Sequence, residues 1–129
     1  GEVIPAKEVT ITPVGNEMRF ETTKIEAKAG TKLTLIFENT ATTAAMHHNV
    51  VVLQQETDIE AVGKAALTAK DNGYIPADYA EDIVAFTEMA APGETRSVTF
   101  TVPPPGEYPY ICTFPGHYTT MRGTLISVQ

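Results

Sequence analysis

The segment Thr31-Lys-Leu-Thr-Leu-Ile-Phe-Glu38 reads as a half-buried strand: Leu33, Leu35 and Phe37 share one face, Thr34 and Glu38 the other. Thr95–Val102 (TRSVTFTV) repeats the pattern, with Val98, Phe100 and Val102 facing inward and Thr95, Ser97, Thr99 and Thr101 outward. Working outward from this pair, Val3–Val14, Lys24–Ala27, Asn49–Gln54, Ile83–Met89, Glu107–Cys112 and Gly123–Val128 are further strand candidates. Turn chemistry separates them at Gly15-Asn16, Ala29-Gly30, Pro92-Gly93 and Pro103-Pro104-Pro105-Gly106. About eight short strands without βαβ alternation predict an all-β antiparallel sandwich or barrel.

One stretch departs from this pattern. Thr57 followed by Glu60 has the form of a capping box, Ile59, Val62, Ala66 and Ala69 fall near helical spacing, and Asp71-Asn72-Gly73 is a stop signal. The expectation is one short helical insertion between Glu56 and Gly73. With no internal repeat, linker or low-complexity tract, residues 1–129 read as a single domain.

Composition narrows the functional classes. A chain of 129 residues, 43% hydrophobic, can bury a core without cross-links, and Cys112 as the sole cysteine excludes a disulfide framework. A net charge of −7 argues against a nucleic-acid partner or an anionic membrane surface. No run approaches the roughly 18 apolar residues of a membrane helix, and the opening GEVIPAKEV shows no signal-peptide pattern. Charge is also unevenly placed. Asn39–Gln55 contains no Asp, Glu, Lys or Arg, and from Pro103 onward Glu107 and Arg122 are the sole charged residues. These two stretches contain the cysteine and all three histidines, at 47, 48 and 117. They are either buried strand or loops that meet at an uncharged end of the sandwich.

The run Tyr110-Ile-Cys-Thr-Phe-Pro-Gly-His-Tyr-Thr-Thr-Met121 offers a thiol, then an imidazole, then a thioether. Such donors suit copper better than magnesium or calcium, and two imidazoles, one thiolate and a distant axial Met make up a blue-copper electron-transfer site. The second imidazole must come from His47-His48, and periodicity does not choose between them, because residues of both parities after them are apolar. Three rival readings of Cys112 are weaker. An inert buried thiol leaves the spacing unexplained. Nucleophilic catalysis lacks an oxyanion element and an orienting acid. Structural zinc is poorly served by Met121 as a fourth donor. Met18, Met46 and Met89 show no ligand spacing and are read as packing residues, and the acidic residues at 56–60 and 78–82 as solvated faces.

Cys112-Thr-Phe-Pro-Gly-His117, Met121 and Gly123-Thr-Leu125 resemble the copper loop of azurins and auracyanins in the cupredoxin family, and His48-Asn49 resembles the family's first-histidine pair. Gly73-Tyr-Ile-Pro76, the proline-rich turn before Tyr108 and Tyr110-Ile-Cys112 look most like auracyanin. The resemblance implies a Greek-key β-sandwich holding one type 1 copper, with His48, Cys112, His117 and Met121 as ligands. Asn49 would hydrogen-bond to the cysteine loop, where Thr113 and Phe114 stand beside the ligands. The residue before the first histidine, a glycine in azurins, is His47 here, which makes its carbonyl a candidate axial donor. The azurin pair of structural cysteines is missing, and Pro109 removes a strand N–H just before the site, suggesting an edge or distorted pairing.

Functionally, the resemblance implies a monomeric one-electron carrier outside the cytoplasmic membrane, without substrate turnover. A membrane quinol-oxidising complex would be the donor and a reaction-centre or other cytochrome the acceptor. Any membrane tether would precede Gly1. Copper delivery or storage is the alternative.

Overall fold

Leu33, Leu35 and Phe37 are each at most 1% exposed, because their strand is the middle one of a three-stranded sheet. In the computed structural model, which describes residues 7–129, this sheet consists of β1 (Lys7–Ile11), β3 (Lys32–Glu38) and β6 (Thr95–Thr101), in the order β1-β3-β6. A five-stranded sheet holds β2 (Lys24–Lys28), β4 (Val51–Leu53), β5 (Ile83–Phe86), β7 (Gly106–Ile111) and β8 (Arg122–Val128), in the order β2-β8-β7-β4-β5. Ile11, Leu33, Leu35 and Phe37 from the first sheet pack with Ile25, Tyr110 and Leu125 from the second in one core. All eight strands expected from the sequence are present: five have shorter bounds, β7 begins and ends one residue earlier, and β2 and β8 are each one residue longer. The expected strand Val3–Val14 is realised at Lys7–Ile11, and its residues 3–6 lie outside the described residues. Val98 and Phe100 are only half-buried because β6 is an edge strand.

The expectation of a purely antiparallel sandwich needs correction. β1 runs parallel to β3 (Lys7↔Leu33 to Ile11↔Phe37), and β2 parallel to β8 (Lys24↔Thr124 to Lys28↔Val128). The cause is the Ala29-Gly30 turn, which carries the chain from one sheet to the other instead of closing a hairpin. Gly30 takes φ 82, a left-handed conformation that suits glycine. Its N–H donates to Val102 O (2.9 Å), while Ala29 N–H donates to Val128 O (2.7 Å), tying the corner to both sheets.

The helix α1 (Ile59–Ala66) forms, but its cap lies one residue later than the sequence pattern suggests. Asp58 accepts from Ala61 N at 3.1 Å, whereas the Thr57 hydroxyl donates back to Gln54 O at 2.7 Å. Beyond Ala66 the helix does not continue: the chain makes 3₁₀ turns at Lys70–Asn72 and Ala77–Asp82, and Gly73 closes the first of these. Val62 and Ile75 of the insertion pack on Val51, Leu53 and Ile111, on the far side of β4 and β7 from the main core. β4 is therefore buried on both faces, which explains why residues of both parities around it are apolar.

Pro109 lies in β7, between β8 and β4, so of the two expectations, an edge or a locally distorted pairing, the edge is corrected. It is tolerated because the ladder with β4 covers only Val51↔Ile111 and Val52↔Tyr110 and stops before Pro109.

Candidate metal centre

The two charge-poor stretches meet at one end of the sandwich. The first arrives on a backbone fixed by Asn39, 2% exposed, whose Nδ2 donates to Met46 O (2.8 Å) and Ala90 O (2.9 Å). His48 is then locked by paired backbone bonds with Ala90, at 3.1 and 2.8 Å. The second stretch follows β7: Cys112 N–H donates to Met121 O (3.1 Å), and Met121 N–H to His117 O (2.8 Å). Between them the chain turns at Gly116, φ 82, with His117 N–H donating to Phe114 O (2.9 Å). A side chain at 116 would be strained in that conformation.

Three donor atoms converge here. His48 Nδ1 lies 3.1 Å from His117 Nδ1, and Cys112 Sγ lies 3.9 Å from the first and 3.7 Å from the second. The point equidistant from all three lies about 2.1 Å from each, within the range of metal–nitrogen and metal–sulfur bonds. Two imidazoles and a thiol around such a point form the trigonal donor set of a blue-copper site. His48 and Cys112 are fully buried, while His117 keeps 4% exposure. Met121 is fully buried in the same cluster as Cys112. His48 Nε2, the ring nitrogen turned away from the triangle, has no hydrogen-bond partner among the described residues.

Asn49 and Thr113 join the two stretches behind the donors. Asn49 Nδ2 donates to the Thr113 hydroxyl and Thr113 N–H donates to Asn49 Oδ1, both at 2.8 Å and both buried. Phe114 is half-buried, its ring 4.9 Å from that of His117 and stacked on His47 at 5.6 Å, 16° from parallel. His47 is itself half-buried, and its carbonyl accepts no hydrogen bond among the described residues.

Burial sets the charge state of the metal-free centre. It lowers the His48 pKa to about 4, with help from the neighbouring His117 and His47, and it lowers that of His117 as well. Burial also pushes the Cys112 thiol up to about 12, against a smaller opposing effect of the Asn49 and Phe114 backbone N–H groups. The centre is thus neutral near pH 7, and taking up a metal must release the thiol proton. Copper uptake in weakly buffered solution at pH 7 should liberate about one proton per ion, measured by pH-stat titration. The histidines give a second prediction. Below pH 6.5 the unfolded chain binds protons that the folded state refuses, so stability of the metal-free protein is complete above that pH. It should fall by about 3 kcal/mol as pH drops from 6.5 to 4, read from denaturant midpoints.

Some of the supporting residues carry no sequence signal. Asn39 is an unremarked polar residue at a strand end, and Gly63, Tyr74 and Tyr118 belong to no ligand pattern, yet all four hold the segments that carry the histidines. Met18, expected as a packing residue, is 40% exposed: it sits in the turn between Pro13 and Phe20, where its carbonyl accepts from the Thr120 hydroxyl at 2.6 Å.

The profile of copper-binding proteins of the plastocyanin/azurin family matches residues 7–128. Auracyanin-A of Chloroflexus aurantiacus is 38% identical over 120 residues, covering 92% of this chain and 72% of that protein. Auracyanin-B of the same organism is 37% identical over 122 residues, covering 94% of this chain and about half (52%) of that protein. The solved structure of auracyanin A, described as a "blue" copper protein, superposes with a TM-score of 0.88 at 35% identity, covering 96% of this chain and all of that one.

Proposed function

Since this chain belongs to the plastocyanin/azurin family of copper-binding proteins, with auracyanins and azurins among its relatives, we propose that it is a one-electron carrier holding copper on His48, Cys112, His117 and Met121. The observation that carries this reading is the buried triangle of two imidazole nitrogens and one thiol sulfur. Bound copper would supply the Cu(I)/Cu(II) couple. His48, Cys112 and His117 hold that couple in one arrangement, since each is fixed by backbone bonds outside the triangle. A shape that need not change between oxidation states keeps reorganisation small. The Cys112 thiolate contributes the single negative charge of an otherwise neutral buried site, so low polarity favours the reduced, uncharged state.

His117 is the one donor residue of the triangle with any exposure, which supports its ring as the point where electrons enter and leave. Few charges lie near it in the sequence, and apolar docking of this kind gives the weak, fast complexes a shuttle needs. We place the protein outside the cytoplasmic membrane, as a monomer between a membrane quinol-oxidising complex and a reaction-centre or other cytochrome. Among the described residues no helix is long and apolar enough to cross a membrane. Cyclic voltammetry of the copper-loaded protein should give a reversible one-electron wave. Rapid loss of Cu(I) to a modest chelator, without such a wave, would instead identify a copper delivery or storage protein.

Met121→Leu should keep copper bound and raise the potential, because Cu(II), the stronger Lewis acid with the larger coordination demand, would lose more than Cu(I) when a fourth donor is removed. Each tenfold difference in that weakening corresponds to about 59 mV. An unchanged or lower potential would remove Met121 from the ligand set.

A further inference from the structure

Two contacts join the helical insertion to the loop that carries His117. Gly63 of α1 is buried, and a Cβ placed on it would stand 2.5 Å from both Cγ and Cε1 of Tyr118. These atoms belong to the body of the ring, so no small movement of a side-chain tip relieves the overlap. Tyr118 directly follows His117, and its carbonyl is held by Arg122 Nε at 2.7 Å. On the other flank, the Tyr74 ring meets Phe114 at 5.3 Å and 62°, and Phe114 lies against the His117 ring. Tyr74 reaches that position with φ 64, a left-handed conformation unfavourable for a bulky side chain. A glycine inside a helix and a left-handed tyrosine are both poor local choices. Each is accounted for by the ring it places beside the ligand loop.

We propose that the insertion positions the His117 imidazole, with Gly63 and Tyr74 as positioning residues acting through Tyr118 and Phe114. This rests on His117 being a copper ligand, as proposed above. A surface loop left to itself is mobile, and the Asn49–Thr113 pair anchors this one next to Cys112, four residues before His117. The insertion supplies the restraint on the remainder, holding His117 in the same place with and without metal.

The test uses two variants and the copper-loaded wild type. If Gly63 served its helix alone, Gly63→Ala would raise the thermal midpoint and leave the visible spectrum unchanged. Instead it should alter the relative intensities of the visible bands and speed copper release to a chelator by about tenfold, the scale of overpacking strain. Adding Tyr118→Ala should cancel that effect, so that the double variant releases copper no faster than Tyr118→Ala alone. Tyr74→Gly relieves the left-handed conformation, so the metal-free protein should melt at the wild-type temperature or higher while releasing copper severalfold faster. This second variant decides the matter if Gly63→Ala does not fold. Wild-type spectra and release rates in Tyr74→Gly, and in Gly63→Ala where it folds, overturn the positioning role. A wild type without a blue band overturns the ligand assignment beneath it.

Discussion

Replacing Cys112 with serine should abolish the intense visible absorption of the copper-loaded protein and lower its copper affinity by on the order of a hundredfold or more. A serine hydroxyl remains protonated at neutral pH and is a hard, weak donor, so the sulfur-to-copper charge transfer that colours such a site has no source. Loss of a group that merely supports a ligand already costs about 10- to 100-fold in metal affinity, which sets the lower bound for loss of a ligand. The substitution is conservative for the fold. Cys112 is fully buried, its backbone N–H still reaches Met121 O, and the Asn49–Thr113 pair beside it does not involve the thiol. A serine variant with native-like circular dichroism and no blue band is the expected result. A blue serine variant would contradict the assignment of Cys112.

Asn49→Leu should cause a large loss of stability although Asn49 donates nothing to the triangle. It deletes two 2.8 Å hydrogen bonds and leaves the buried N–H and hydroxyl of Thr113 without partners. An unsatisfied buried group costs about 1–3 kcal/mol, so two should cost about 2–6 kcal/mol in total. For a chain of this size the thermal midpoint should fall by about 10 °C or more. The damage also reaches the centre, because the pair ties the His48 segment to the residue after Cys112. A double-mutant cycle with Thr113→Val should give a coupling energy of about 1–3 kcal/mol. Stability of Asn49→Leu within about 0.5 kcal/mol of wild type, the range of an ordinary surface change, would contradict the buttress.

The chemistry of the site was easier to read from the chain than the path of the chain itself. Cys112, His117 and Met121 fall on one short loop, so their spacing alone places three donors together, and a chain with three histidines leaves few sources for the fourth. The choice of His48 over His47 was not available from periodicity, because β4 is buried on both faces. It came from the resemblance carried by His48-Asn49, and the structure puts His48 Nδ1 in the triangle while His47 stacks outside on Phe114. Strand positions followed from alternation, but the parallel pairs did not. Whether Gly30 closes a hairpin or sends the chain across to the other sheet depends on contacts with Val102 and Val128, far away in sequence. The cap shifted from Thr57 to Asp58 for a local reason, since the Thr57 hydroxyl is taken by Gln54 O, three residues earlier. Tyr74 falls in the auracyanin-like Gly73-Tyr-Ile-Pro76, but what it and Gly63 do is not legible in the chain, because it exists solely in contact with Phe114 and Tyr118.

The central claim is that His48, Cys112, His117 and Met121 form one redox-active copper centre whose shape survives the change of oxidation state. The most direct measurement is the visible spectrum of the copper-loaded protein before ascorbate, after it, and after reoxidation. An intense blue band that bleaches on reduction and returns unchanged on reoxidation is the predicted result. A colourless copper-loaded protein, or a band that does not return, contradicts it.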